Sequence, residues 1–409
     1  MTDPTRRTFI AQTAGALAGY AILPEFAAGS PPSRAGGRVA VIGIGRQGRA
    51  IIAELQKIEG VQIVAVCDVV EGRATIGTER APGARPFTDH RTLLLGAAAD
   101  LDAVIVATPT HRHREIVEDV LAAGKHVYCE APIASTPEDC DALVAAAAAH
   151  PTLVSQAGLV FRSNPIYRRV RTLMRAGTLR DLVSLYAQSH RKTSWRFPAP
   201  DPALERAFNW RLDPEVSIGL AGEQGTHAFD VMCWYRERYP RRITGGGGIR
   251  LHDDGRTIAD TIHADLVFDD GINFSYRATL ANSFGGEHEL LHGTNSAVRL
   301  SGTHGWLFRE VDAPTEGWEV YAMRQQFHND EGIALIADAT KLAEQGRLQE
   351  GIGLPNPPLY YALADFVRSF SEETPVACTL EEGARATLLG ILADRAVRTG
   401  AAIDVPEMG

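Results

Sequence analysis

Apolar positions fall along the chain in two textures. Between about residues 35 and 158, short strand-like runs, mostly apolar, alternate with stretches of helical period. The runs are Val39 to Ile42, Val61 to Cys67, 101–109, 125–130 and 152–158. The β-branched and apolar character of Val39 to Ile42 and Val61 to Cys67 predicts buried strands, and the others read as strands of the same sheet. Between them Arg49 to Lys57, 113–124 and 137–150 repeat apolar residues at helical spacing. Strands alternating with helices predict an α/β doubly wound parallel sheet. The texture changes near residue 160. A helical stretch at 164–177 and a polar, proline-containing loop to Pro214 precede strand-like segments at 243–251, 259–268, 271–280, 287–293 and 296–301. Several adjoin turn signals such as "DDG" and "NS", which predicts a large open, mainly antiparallel sheet. Helical patterns return at 358–370 and 380–400.

The first strand and helix enclose a fingerprint. Gly43, Gly45 and Gly48 form GxGxxG directly after Val39–Ile42, a helix follows, and Asp68 closes the second strand. Gly43 permits a tight turn, Gly45 lets backbone approach a pyrophosphate, and Gly48 lets helix and strand pack closely. The helix N-terminus then faces phosphate. Asp68 can accept ribose hydroxyls and would repel a 2′-phosphate. NAD is therefore favoured, while Arg73 nearby keeps NADP open. Ligands of such sheets sit at the carboxyl ends of the strands, where Thr108, Pro109, His113 and Glu130 fall.

A chain of 409 residues is too long for one core. Its net charge of −9 argues against a nucleic-acid or anionic-membrane surface. Five cysteines form no CxxC, so neither a disulfide framework nor structural zinc is expected. Lysine is scarce: Lys57, Lys125, Lys192 and Lys341 are all there are.

At the N-terminus Arg6-Arg7 precede a weakly apolar run, Phe9 to Leu23, shorter than the ~20 residues that span a membrane. This pattern predicts a twin-arginine export signal and a periplasmic or exported protein. "EFAAGS" has no clean cleavage triplet, so retention as an anchor stays open.

The segments "VIGIGRQG" (41–48), "VCDVVEGRA" (66–74), "ATPTHRHREI" (107–116), "AGKHVYCEAP" (123–132) and "GEQGTHAFD" (222–230) resemble the Gfo/Idh/MocA family of sugar-type oxidoreductases. The resemblance implies two domains, a tightly held nicotinamide dinucleotide, and a carbohydrate pocket between the nucleotide domain and the open sheet. It also implies oligomerisation through that sheet. The expected organisation is a leader and linker over 1–34, a Rossmann domain over 35–158, an α+β substrate and oligomerisation domain over 159–355, and C-terminal helices over 356–409 packing back on the body. Carried over by position, Arg46, Gln47, Glu130 and Ala131 join the glycines, Asp68, Thr108, Pro109 and His113 on the cofactor. His227 matches the family's acid/base histidine. Glu223 stands where many members have Asp, and i−4 on a helix would place it beside His227. Asp230 is a second candidate orienter and, with Arg162 and His190, a candidate substrate contact.

One position departs from the pattern. The family's Glu-Lys-Pro reads Glu130-Ala131-Pro132 here, so a charge and a proton donor are gone together. Three readings follow: the lysine's task has moved, the chemistry differs, or cofactor is bound without turnover. Lys192, in "SHRKTSWR", is the candidate for relocation. The functions in view are NAD(P)-dependent oxidation of a sugar, polyol or glycoside hydroxyl, NAD-dependent glycoside hydrolysis through transient oxidation and elimination, and non-catalytic sugar binding outside the cytoplasm. An exported enzyme has no pool of NAD(H) to exchange with, so its redox cycle would close on a retained cofactor. Two motifs look like others and are read down. "HELLH" (288–292) matches a zinc signature but lies in strand-like sequence, where i and i+4 stand ~13 Å apart; no metal is expected. "GGGG" (245–248) lacks the Lys-Ser/Thr of a P-loop and reads as a flexible turn.

Overall fold

The computed structural model describes residues 36–328 and 330–408. The paired-arginine segment lies outside them. Strands β1 (Gly37–Ile42), β2 (Val61–Cys67), β3 (Arg85–Phe87), β4 (Ala103–Val106), β5 (His126–Glu130) and β6 (Ser155–Gly158) form one parallel sheet in the order β3-β2-β1-β4-β5-β6. Its strands are buried on both faces: Val39, Ala40 and Val41 of β1 and all four residues of β4 are inaccessible. That is why β1 and β4 read as unbroken apolar runs. β3 escaped sequence reading because its residues, Arg85-Pro86-Phe87, lie at the exposed sheet edge.

The second sheet has ten strands: β7 (Leu182–His190), β8 (Arg242–Gly248), β9 (Thr261–Val267), β10 (Asn273–Thr279), β11 (Glu287–Gly293), β12 (Ser296–Ser301), β13 (His304–Arg309), β14 (Arg324–Phe327), β15 (Asp330–Ala334) and β16 (Ile403–Asp404). Their order is β14-β15-β13-β12-β11-β7-β10-β9-β8-β16. Every pair is antiparallel except β7 with β10. One face carries the core: Leu185, Ala187, Phe274, Tyr276, Leu291 and Val298 pack under the helix Gly225–Arg236, which buries Phe229 and Met232.

The C-terminal helices join the two halves. The helix Pro358–Ser371 buries Ala362, Leu363 and Phe366 on the first sheet. The helix Leu380–Thr399 starts on a capping box of Thr379 and Glu382. Its first turns place Leu380, Ala384 and Ala386 in the nucleotide-domain core, and its last place Leu389, Leu392, Ala393 and Ala396 in the second. The flexible-turn reading of "GGGG" is corrected here. The four glycines are the C-terminal part of β8, and a Cβ on Gly245 would stand 3.0 Å from the Val397 side chain of that last helix. Glycine lets the helix lie directly on the strand.

Candidate active site

The strand ends of the first sheet and the core face of the second enclose a cleft of about 660 Å³. The cofactor half is built from local sequence. Gly43 has φ +94°, and a Cβ there would lie 2.5 Å from the Ala107 carbonyl oxygen. A Cβ on Gly48 would stand 1.8 Å from Gly43 O, so the helix sits on the turn with no room for a side chain. Gly45, by contrast, has nothing within 4 Å and opens on the cleft. Each glycine thus meets the demand that a bound pyrophosphate makes.

Asp68 is buried, and its two oxygens accept the amides of Ile44 (2.8 Å) and Val70 (2.9 Å). Each oxygen keeps a lone pair for a ribose hydroxyl. Arg73 lies over the Phe208 ring at 3.9 Å, engaged from the second domain. Thr108 and Pro109 line the cleft, and Thr108 Oγ1 is buried without a partner. His113 faces the carbonyls of Thr108 (2.9 Å) and Pro132 (3.0 Å), a strut between the loops after β4 and β5. Burial pushes its imidazole down to about 4. Glu130 is buried at the end of β5, accepts Gln47 Nε2 at 3.0 Å, and is pushed up to about 7 by burial. Arg46, Gln47 and Ala131 complete this half. The orphaned Thr108 hydroxyl, the open Gly45 and the half-satisfied Glu130 fit a nicotinamide dinucleotide.

The substrate half is assembled over long range. His227 is half-buried in the cleft, its Nδ1 buried with no partner and its ring edge-on to Phe161. Burial holds its imidazole below the usual range, against the pull of Glu287. Around it Ser189 Oγ lies 2.8 Å from both Gln224 Oε1 and Glu287 Oε1, and Arg191 pairs with Glu287 at 2.5 Å. Trp195, Trp210 and Phe161 form apolar wall.

Four expectations are corrected. Glu223 does not orient His227: the backbone breaks at Gln224 (φ −121°, ψ −38°), between the helices Gly219–Glu223 and Gly225–Arg236, so the i−4 relation fails. Glu223 instead accepts Thr110 Oγ1 (3.0 Å) and Arg211 Nε (3.1 Å), tying the β4 loop to the second domain. Asp230 and Arg162 do not reach substrate. Arg162 grips Asp230 at 2.7 and 2.9 Å and Glu382 at 2.7 Å, away from the cleft lining. This buried network clamps the Gly225–Arg236 helix to the start of the last helix. His190 turns away and bonds Phe284 O at 3.0 Å. Lys192 is exposed, and among the described residues no lysine lines the cleft. Arg191, one residue earlier, is among the arginines that line it. The relocated-lysine reading therefore finds no lysine.

Sequence reading missed Ser189, Arg191, Gln224, Tyr276, Glu287 and Glu289. The signal for the last two was at hand. "HELLH" is part of strand β11, and alternation puts Glu287 and Glu289 on the cleft side. His288 and His292 face the other way, toward Gly285 O and Ser184 Oγ, each at 3.1 Å.

Residues 37–157 match the model of the oxidoreductase family with the NAD-binding Rossmann fold, and residues 167–308 that of the GFO/IDH/MocA C-terminal domain. The chain belongs to the Gfo/Idh/MocA family. It is an NAD-dependent oxidoreductase. Among relatives of this family, inositol 2-dehydrogenase 1 of Saccharopolyspora erythraea is 28% identical over 302 residues, covering 71% of this chain and 84% of its own length. Inositol 2-dehydrogenase/D-chiro-inositol 3-dehydrogenase of Shouchella clausii is 26% identical, covering 79% and 96%. A levoglucosan dehydrogenase solved with NADH and levoglucosan shares the fold, with TM-score 0.70 at 19% identity over 91% of this chain and 100% of that one. These Gfo/Idh/MocA proteins are named as dehydrogenases, not as glycosidases or binding proteins.

Proposed function

We propose that the protein oxidises a secondary hydroxyl of a ring polyol or sugar, with His227 as the base. The observation that carries this reading is the buried, unpartnered Nδ1 of His227 in the same cleft as the orphaned Thr108 hydroxyl and the glycine turn. NAD, when bound, supplies the acceptor for the carbinol hydride. This chain supplies the rest. Gly43, Gly45 and Gly48 shape the pyrophosphate cradle, while Asp68 and Glu130 accept cofactor hydroxyls. The depressed imidazole of His227 is neutral at pH 7 and takes the hydroxyl proton. Trp195, Trp210 and Phe161 offer faces for ring C–H groups, and Ser189 and Gln224 offer hydrogen bonds. Ala131 removes the lysine but not the base, so proton transfer needs no relocated cation. The inositol and levoglucosan relatives support this substrate class.

The same reading keeps Arg6-Arg7 as an export signal, with NAD carried across inside the folded chain. The stretch from Trp195 to Arg211 supports retention, because it reaches from the second domain to set Phe208 on Arg73 and Trp210 against His111. The test is the reduced-nicotinamide signal on adding inositols and anhydrosugars to purified protein, with and without added NAD. Reduction supports the reading; silence with every ring polyol and sugar rejects it.

A further inference from the structure

Beyond the reacting centre, the floor of the cleft carries a pair of groups that proton transfer does not use. In the pairing of β10, β7 and β11, Tyr276 and Glu289 both stand opposite Ala187, one on each side. All three side chains point to the core face, and both Tyr276 and Glu289 line the cleft. The alanine methyl between the two long side chains is itself part of the core. Tyr276 is 1% exposed, and its hydroxyl, beside the Ser189 side chain, makes no well-formed hydrogen bond. Glu289 is 6% exposed; its Oε2 accepts the Tyr167 hydroxyl at 2.7 Å, which in turn accepts the Gly302 amide at 3.3 Å. Tyr167 is itself fixed by stacking on Phe161 at 4.4 Å. The carboxyl is thus held by one oxygen. Glu287, two residues nearer the mouth, is 46% exposed and neutralised by Arg191, so the two acids differ in depth and in role.

A buried hydroxyl and a buried carboxyl left part-satisfied across a small residue need a polar guest. Between them they offer at least one donor and one acceptor. An alkyl group there would leave both unmet. A single ring hydroxyl, both donor and acceptor, meets both.

We propose that Tyr276 and Glu289 form a specificity subsite that binds one non-reacting hydroxyl of the ring substrate. The inference rests on the polyol reading above and narrows it to rings that carry a hydroxyl remote from the oxidised carbon. Burial pushes the Glu289 carboxyl up to about 7, which lets it donate as well as accept near neutrality.

The test compares Tyr276→Phe and Glu289→Gln with the unaltered protein on a ring polyol and its set of mono-deoxy analogues. Each variant should lose about 10- to 100-fold in kcat/KM on the parent polyol, mostly through KM, the scale of one unmet buried hydrogen bond. One deoxy analogue should be as poor for the unaltered protein as the parent is for the variants, and on that analogue the variants should lose nothing more. A merely structural role would lower all analogues alike and would overturn the proposal, as would unchanged kinetics in Tyr276→Phe. Tyr276→Phe removes only a hydroxyl that makes no well-formed hydrogen bond, so it keeps the test alive if Glu289→Gln folds poorly. Turnover by the unaltered protein with no analogue discrimination sinks the subsite alone. No turnover with any ring polyol sinks the polyol reading and the subsite with it.

Discussion

The two halves of the cleft are built by opposite means. The cofactor half is made by neighbours in sequence. Three glycines in six residues set the turn, the cradle and the helix contact, and Asp68 closes the next strand. The substrate half is made by strand pairing. Ala187 lies about a hundred residues before Tyr276 and Glu289 in the chain, and the three meet only through register. One half is fixed by backbone geometry that tolerates little else. The other is fixed by which side chains face a shared surface, and there substitution changes specificity without touching the fold.

That contrast can be broken by exchanging a residue in each half. His227→Asn should give the largest effect on turnover, a fall of about 10²–10⁴ in kcat at unchanged cofactor affinity. Steady-state kinetics with bound-nicotinamide fluorescence checks both; retained turnover would move the base elsewhere. Asp230→Ala should act on stability instead. It leaves buried Arg162 without its main partner, at a cost of about 3–5 kcal/mol by denaturant titration. A loss of activity at full stability would return Asp230 to the site.

Ala131→Lys sharpens the cofactor half. Glu130 is held near 7 by burial beside a residue without charge. A carboxyl raised in this way gains its hydroxyl-accepting anion only as pH rises through about 7, so NAD affinity should climb over that range. A lysine at 131 pulls the carboxyl down, so affinity should already be on its plateau at the acid end. An unshifted affinity profile would separate Glu130 from the cofactor. Lys192→Ala should give the smallest effect, with turnover and stability both unchanged, because the side chain is exposed and outside the cleft. Lost turnover there would restore the relocated lysine.

Legibility followed the same division. The strands β8 to β12 were readable to within a few residues, because their alternation and turns are local signals. Gly43, Gly45, Gly48 and Asp68 were readable because the demands on them come from adjacent backbone. Glu223 misled because helical spacing was carried across Gln224, where the chain departs from helix. Arg162 and Asp230 misled because charge near a catalytic histidine looks the same whether it serves a substrate or a buried clamp. Glu289 was hidden inside a false zinc motif, and strand alternation applied to "EHELL" would have separated its acids from its histidines.

The most direct measurement follows label from substrate to cofactor. Inositol deuterated at its carbinol carbons is incubated with the NAD-loaded protein, and the nicotinamide is analysed for deuterium. Hydride transfer with His227 as the base predicts label in the nicotinamide, abolished in His227→Asn while Lys192→Ala transfers it normally. Nicotinamide that stays unlabelled with the deuterated polyols, or label that persists undiminished in His227→Asn, would contradict it.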